Sequence, residues 1–526
     1  MRQLLLITLL GIVFLSCSNQ QEETTEQPKA PSRPLYDYTQ QFRPQYHFSP
    51  PKKWMNDPNG MVYYEGEYHL FYQYYPDSTV WGPMHWGHAV SKDLVNWEHL
   101  PIALYPDSLG LIFSGSAVVD WTNSSGFGDG ETPPLVAIFT YHLMEGEQNG
   151  SDDFQYQGIA YSLDRGRTWE KYDGNPVLPN DGIKDFRDPK VFWHDATDQW
   201  VMVLAEGDEV GLYGSEDLKS WTLLSRFGID QGSHSGVWEC PDLFPLNDVG
   251  GNEKWVMLVS IGTGGEMGSD TQYFVGQFDG KEFKNDNPPD HVMWLDHGKD
   301  NYAGVTWSDV DEEDGRRIFM GWMSNWQYAQ VVPTEIWRSN MTLPRELGIY
   351  KTRTGYRLAN RPIQELGFLR EQVKTMNKVV IAGKEDWVQR LPDHERLLNF
   401  EIVVSDISGR GKSWKLSFSN AINERIVVGY DQASNQYFVD RSSAGISDFS
   451  QDFAGVHYAE RVSEAPQMPL SIWMDESSIE LFADNGTVAM TDLFFMSEQW
   501  NRVVFESGPE AVLVEGDIYR LQSIWE

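Results

Sequence analysis

Cysteine is nearly absent from this chain: Cys17 and Cys240 are the only two in 526 residues. Cys17 falls at the end of an apolar leader, so Cys240 stands alone and the fold must hold by its core rather than by disulfides. Positive charge is scarce as well. Against 77 Asp and Glu stand 41 Lys and Arg, a formal net charge of −36. That balance excludes a nucleic-acid surface and argues against polyanionic substrates. A neutral polymer such as a carbohydrate would not be repelled. Between about residues 46 and 350 no long segment of 3.6-residue periodicity occurs, which excludes a helical architecture there. Aromatic residues are plentiful instead, at 13% with 21 Trp, and Trp either stacks on sugar rings or fills β cores. The length suggests two or three domains.

The leader MRQLLLITLLGIVFLSCSNQ carries Arg2 and an apolar run over residues 4–15. That run is too short for a bilayer span and fits a signal peptide. Its Leu15-Ser16-Cys17 ending resembles a bacterial lipobox, which implies cleavage before Cys17 and lipidation of its thiol, with simple secretion as the alternative. The polar, acidic stretch SNQQEETTEQPKAPSRP reads as a disordered tether, of the kind that follows the anchor in surface-exposed lipoproteins. With a lipobox in front, the sequons at Asn123, Asn149, Asn340 and Asn485 read as chance.

Short apolar or alternating runs such as YHLFYQYY, WVMVLAE, WVMLVSI and RIFMGWM, broken by Gly/Asp/Asn turns, make the first half β. SKDLVNW (91–97), SLDRGRTW (162–169) and SEDLKSW (215–221) repeat a Ser-x-Asp followed by Trp, with a looser copy in GQFDGKEF (276–283). Spacings of roughly 50–70 residues hold four strands each and point to propeller blades. Four marks and a closing segment near RIFMGWMSNW predict five. The Ser and Asp are expected to tie a hairpin turn while the Trp packs between blades. After RPIQELGFLREQ (361–372), alternating runs with hairpin turns, one at Asp475-Glu476, read as a β-sandwich. The expected organisation is a signal peptide over 1–17, a tether over 18–42, a propeller over 43–355, a linker over 356–375 and a sandwich over 376–526.

Three acids stand out by context: Asp57 in WMNDPNG, Asp188 in FRDPK and Glu239 in WECPD. Asn-Asp-Pro-Asn-Gly is turn chemistry, and each acid taken singly could be a turn or a semi-buried structural group. In a propeller, acids from different blades can meet at the central funnel despite wide sequence separation. A glycosidase needs two such carboxylates, one protonated and one ionised.

Taken together, WMNDPNG, FSGS (113–116), RDP and EC, in that order, resemble glycoside hydrolase family 32, the β-fructosidase group of invertases, inulinases and levanases. The likeness continues through WGPMHWGHAVSKDLVNWEHLPIAL, MSNWQYAQVVPTEIWRSNMTLPREL and SSIELFADNGTVAMTDLFF. The resemblance implies an all-β chain, a five-bladed propeller followed by a C-terminal sandwich. It implies Asp57 as nucleophile, Glu239 as general acid/base and Asp188 as transition-state stabiliser. Asn56, Gln73, Trp81, Phe113, Ser114, Arg187 and Trp326 match positions that line a terminal-fructose pocket. A polar surround suits an ionised Asp57, while Glu239 is expected to be held protonated. Carboxylates about 5–5.5 Å apart would give retention. No cofactor or metal is expected; His85 and His88 read as structural or rim hydrogen-bonders.

The expected substrate is a β-fructan, levan or inulin, and also sucrose, with fructose released from the chain end. The expected setting is the outer-membrane surface, anchored through Cys17, since a tethered enzyme suits a polymer too large to import. Endo action giving oligosaccharides, transfer to a sugar hydroxyl, and a non-catalytic glycan-binding lipoprotein stay open. A sialidase is disfavoured: SLDRGRTW matches an Asp-box, but the RDP and WMNDPNG motifs have no place in that scheme.

Overall fold

The apolar runs become strands because each is buried on both faces between neighbouring sheets. The computed structural model of the chain describes residues 37–525 apart from 131, 266, 312–313, 390–395 and 407–412. The expected signal peptide, the lipobox with Cys17 and most of the tether lie outside the described residues. Five small sheets contribute inner strands Lys53–Tyr64, Leu111–Val119, Phe186–His194, Trp238–Asn247 and Tyr302–Thr306. These inner strands contact one another in a ring, forming a five-bladed propeller, as the repeat predicts. Trp337–Arg338 returns to pair in parallel with Lys53 and Trp54 at the innermost edge of blade 1.

The repeated motif builds the turn between the third and fourth strands of a blade. Ser91 Oγ donates to Asp93 (3.0 Å), Ser162 to Asp164 (2.8 Å) and Ser215 to Asp217 (3.2 Å). Each Asp then accepts backbone N–H groups further along the turn, satisfying donors that a tight turn would leave unpaired. The indoles of Trp97, Trp169 and Trp221 each donate to a carbonyl three residues back. Trp97 stacks on Trp307 of blade 5 and Trp169 meets Phe71 of blade 1 edge-on, so the tryptophans seal the gaps between blades. In the looser copy Asp279 keeps the turn, and Phe283 takes the aromatic place.

Two six-stranded sheets follow and pack face to face, with Phe400, Trp414, Phe418, Leu481 and Phe505 among the core between them. Asp475 begins the expected hairpin connection, its N–H bonded to Ser478 O. The sandwich is joined to the propeller by buried charge. Arg345 donates to Asp296 (2.9 Å) and Glu480 (2.6 Å), and Glu480 also meets His47, whose other ring nitrogen lies 2.7 Å from Asp475.

Two boundaries differ from expectation. The tether ends before residue 38, because Tyr38 stacks on Trp525 (centroids 3.9 Å apart) and Phe42 and Arg43 are buried. Gly355–Pro362 is the outer strand of blade 5, and Arg370–Ile381 already belongs to the sandwich. Of the expected linker, only residues 363–369, largely a short 3₁₀ segment, lie outside strands.

A candidate active site at the propeller axis

Every inner strand carries one extra residue at the same level. Residues 55–58, 112–115, 187–190, 239–242 and 302–305 each span two residues of the partner strand. Such bulges bend a strand and re-aim its side chains. Here they bring Asp57, Ser114, Asp188 and Cys240 to one level on the axis. In blades 3, 4 and 5 the first bulged residue, Asp188, Cys240 or Ala303, has positive φ (65°, 46° and 52°). A left-handed backbone at three non-glycine positions is strain concentrated at one place.

WMNDPNG is therefore not a turn. The ladder with Glu67–Tyr75 resumes on both sides of the Asn56-Asp57 bulge, and a second irregularity follows at Asn59–Val62. Pro58, which lacks an N–H, is tolerated at a bulge. Gly60, at φ 51°, is required because a Cβ there would sit 2.6 Å from Phe71 and 2.8 Å from Trp86.

Asp57 Oδ1 accepts from Asn56 Nδ2 (2.9 Å), and Trp54 Nε1 fixes that amide through its oxygen (2.8 Å). Asp57 Oδ2 accepts from Ser114 Oγ at 2.8 Å. Asp188 Oδ2 accepts from the Cys240 N–H at 3.0 Å, while the Cys240 thiol lies between the two carboxylates, 3.8 Å from Asp57 and 3.6 Å from Asp188. Arg187 donates to Glu239 Oε1 through Nε (3.2 Å) and Nη2 (3.0 Å), and is steadied by Asp185 at 2.6 Å. The Tyr302 hydroxyl donates to Glu239 Oε2.

Burial is the main force on the carboxylates. It pushes Asp57 up to about 6, with Glu239 adding and the Asn56 and Ser114 donors opposing. Burial also raises Asp188, to about 7, against the pull of Arg187 and with the charges of Glu239 and Asp57 adding. The polar surround expected to favour ionised Asp57 is thus outweighed by desolvation and a neighbouring acid.

The three acids and all seven residues singled out around them line one cavity of about 290 Å³: Asn56, Asp57, Gln73, Trp81, Phe113, Ser114, Arg187, Asp188, Glu239 and Trp326. Gln73 is buried with its Nε2 unpartnered among the described residues, a donor left for a ligand. Trp54 backs Trp326, the two rings stacked at 5.8 Å. His88 is buried against Phe71, and His85 lies outside the cavity lining, bonded to Pro83 O. Below the acids the axis is plugged. Lys190 donates to Thr306 O and lies 3.9 Å from Asp242, which accepts from Thr306 N at 2.7 Å. The cavity is blind.

Sequence reasoning missed His142, Glu147, Phe154, Gln155, Asp185 and Gln330 in the lining, and Tyr302 and Cys240 as partners of the acids. Only Asp185, two residues before Arg187, carried a local signal.

Comparison with known proteins agrees with this geometry. The description "Glycosyl hydrolases family 32 N-terminal domain" matches residues 47–362, and "Glycosyl hydrolases family 32 C terminal" matches 367–520. A levanase of Bacillus subtilis (strain 168) is 49% identical over 495 residues, covering 93% of this chain and 72% of the levanase. The crystal structure of exo-inulinase from Aspergillus awamori superposes with a TM-score of 0.85 at 35% identity, covering 93% of this chain and all of that one. The β-fructofuranosidase of Schwanniomyces occidentalis complexed with fructosyl-erythritol gives 0.82 at 32%, covering 94% and 100%. Propeller, sandwich, blind acidic cavity and both sequence matches converge: the chain belongs to glycosyl hydrolase family 32.

Proposed function

We propose that the chain is a β-fructosidase that removes fructose from the ends of levan or inulin chains, and from sucrose, with net retention. The observation carrying this reading is the meeting of Asp57, Asp188 and Glu239, from three blades, in one blind cavity. The levanase, exo-inulinase and β-fructofuranosidase relatives supply the substrate class.

In the first step Asp57, ionised, attacks the anomeric carbon. The bond to the leaving oxygen breaks, and Glu239 passes its proton to that oxygen. The products are a fructosyl ester on Asp57 and a free sugar. Glu239, now a carboxylate, takes a proton from water as the water oxygen attacks the same carbon and releases Asp57. Asp188 holds fructosyl hydroxyls and offsets the positive charge that grows on the ring, while Arg187 adds hydrogen bonds and favours the ionised form of Asp188. Asn56, Ser114 and the free Gln73 amide take further hydroxyls, while Trp81, Phe113 and Trp326 supply apolar walls.

A plugged axis favours exo action, because a blind cavity admits a chain end and not a chain's middle. Lipid anchoring at Cys17 rests on the leader's resemblance to a lipobox, and outer-membrane exposure on the acidic stretch behind it. Labelling by fatty acid, lost in Cys17→Ser, tests the anchor. The function is tested with the chain from about Gln27 onward and an Asp57→Ala control, incubated with sucrose, inulin and levan. Free fructose alone is the expected product. A ladder of short oligosaccharides would mean endo action, and no product from any substrate would overturn the assignment.

A further inference from the structure

The loop between the second and third strands of blade 2 reaches into the cavity mouth. It spans 143–154, carries the short helix Met144–Gln148, and closes on itself through Leu143 N to Phe154 O (2.8 Å) and Ser151 N to Gly146 O (3.0 Å). From it Glu147 and Phe154 line the cavity. Glu147 Oε2 meets His142 Nε2 at 3.1 Å, and its side chain stays half exposed. Its other oxygen has no partner among the described residues.

His142 is held on every side. Its ring stacks on Phe113 at 4.2 Å, nearly parallel, and Phe154 meets it edge-on. Arg187 Nη1 donates to Gln155 Oε1 (3.4 Å), which turns the amide nitrogen of Gln155 toward His142 Nδ1 (3.1 Å). Nδ1 therefore accepts, and Nε2–H donates to Glu147. A continuous chain results: Glu147, His142, Gln155, Arg187, Glu239. Its inner end is the carboxylate at the scissile oxygen, and its outer end is a carboxylate at the opening.

Building on the reading above, we propose that Glu147 binds the hydroxyls of the departing sugar, the unit joined to the terminal fructose, and so sets leaving-group recognition. A sugar whose fructosyl half fills the base of a blind cavity must send its other half past the mouth. The oriented carboxylate there accepts from ring hydroxyls, and charge-assisted hydrogen bonds of this type are strong. Phe113, partly exposed in the same lining, supplies apolar surface for the ring. Glu147 is the specificity-determining group, and His142 and Gln155 are positioning residues.

The test compares Glu147→Ala and Glu147→Gln with the parent on sucrose, inulin and β-fructosyl fluoride, whose leaving group has no hydroxyls. We expect KM for the sugar-linked substrates to rise about tenfold to a hundredfold, with a much smaller loss on the fluoride. Equal losses on all three would mean that Glu147 only props His142, and would overturn the proposal. A parent enzyme that turns over neither sugars nor fluoride would instead overturn the β-fructosidase reading itself.

Discussion

Cys240 is the blade 4 counterpart of Asp188. Both open the bulge of their inner strand with positive φ, and the Cys240 N–H donates to the Asp188 carboxylate at 3.0 Å. The same bulge that aims one acid at the axis in blade 3 places a thiol between two acids in blade 4. Burial raises the Cys240 thiol well above its ordinary range, with the charges of Asp188, Asp57 and Glu239 adding. It should stay protonated and unreactive. Ellman's reagent is expected to leave native protein unlabelled and to titrate one thiol per chain from Gln27 onward after denaturation; labelling at native pH 8 would contradict this.

Burial raises Asp57 to about 6, so kcat/KM should fall as pH drops below about 6, where the nucleophile takes up a proton. Ser114 donates to Asp57 and opposes the rise, so in Ser114→Ala the acid limb is expected to move to higher pH. On inulin, Glu239→Gln should lose about 10²–10⁴-fold, because that leaving oxygen needs a proton.

Asp188 is raised to about 7, so its folded-state carboxyl binds a proton more tightly than the unfolded one. The folded state is favoured fully below the unfolded value near 4, and that contribution is lost as pH rises through 7. Asp188→Asn should therefore be more stable than the parent at pH 8, by about 4 kcal/mol, and equal to it near pH 4. Thermal unfolding at the two pH values measures this, and the variant should be nearly inactive at both.

The interface between propeller and sandwich titrates in the same direction, over a higher pH range. Burial alone would lower His47, but its bonds to Asp475 and Glu480 raise it to about 9. Its stabilisation is complete below about 6.5 and is lost as pH climbs through 9. His47→Gln should flatten the alkaline fall in stability. Arg345→Ala, which strands Glu480 and Asp296 in the interior, should cost about 3–5 kcal/mol.

Much of this was legible in the sequence where one short segment carries both the residue and its reason. The Ser-x-Asp turns and their tryptophans are local, and they gave the blade count. Asp57, Asp188 and Glu239 each sit at the start of an inner strand beside residues that mark the spot. WMNDPNG misled as a turn because Pro and Gly serve a bulged strand as well as a turn, and only the partner strand Glu67–Tyr75 decides between them. The chain from Glu147 to Glu239 was illegible. His142 and Gln155 are ordinary strand-end residues whose meaning depends on an Arg from the next blade. Tyr302, arriving from blade 5, has no local mark at all.

The most direct test of the central claim, that Asp57 forms a covalent bond to fructose, is to trap that species. Glu239→Ala is mixed with β-fructosyl fluoride, which can form the ester without acid help but leaves no base to activate water. Quenching in acid, digestion and mass spectrometry of the peptides should find one fructosyl residue on the peptide containing Asp57. A fructosyl group on the Asp188 peptide, or rapid fluoride release with no peptide modified, would contradict the account.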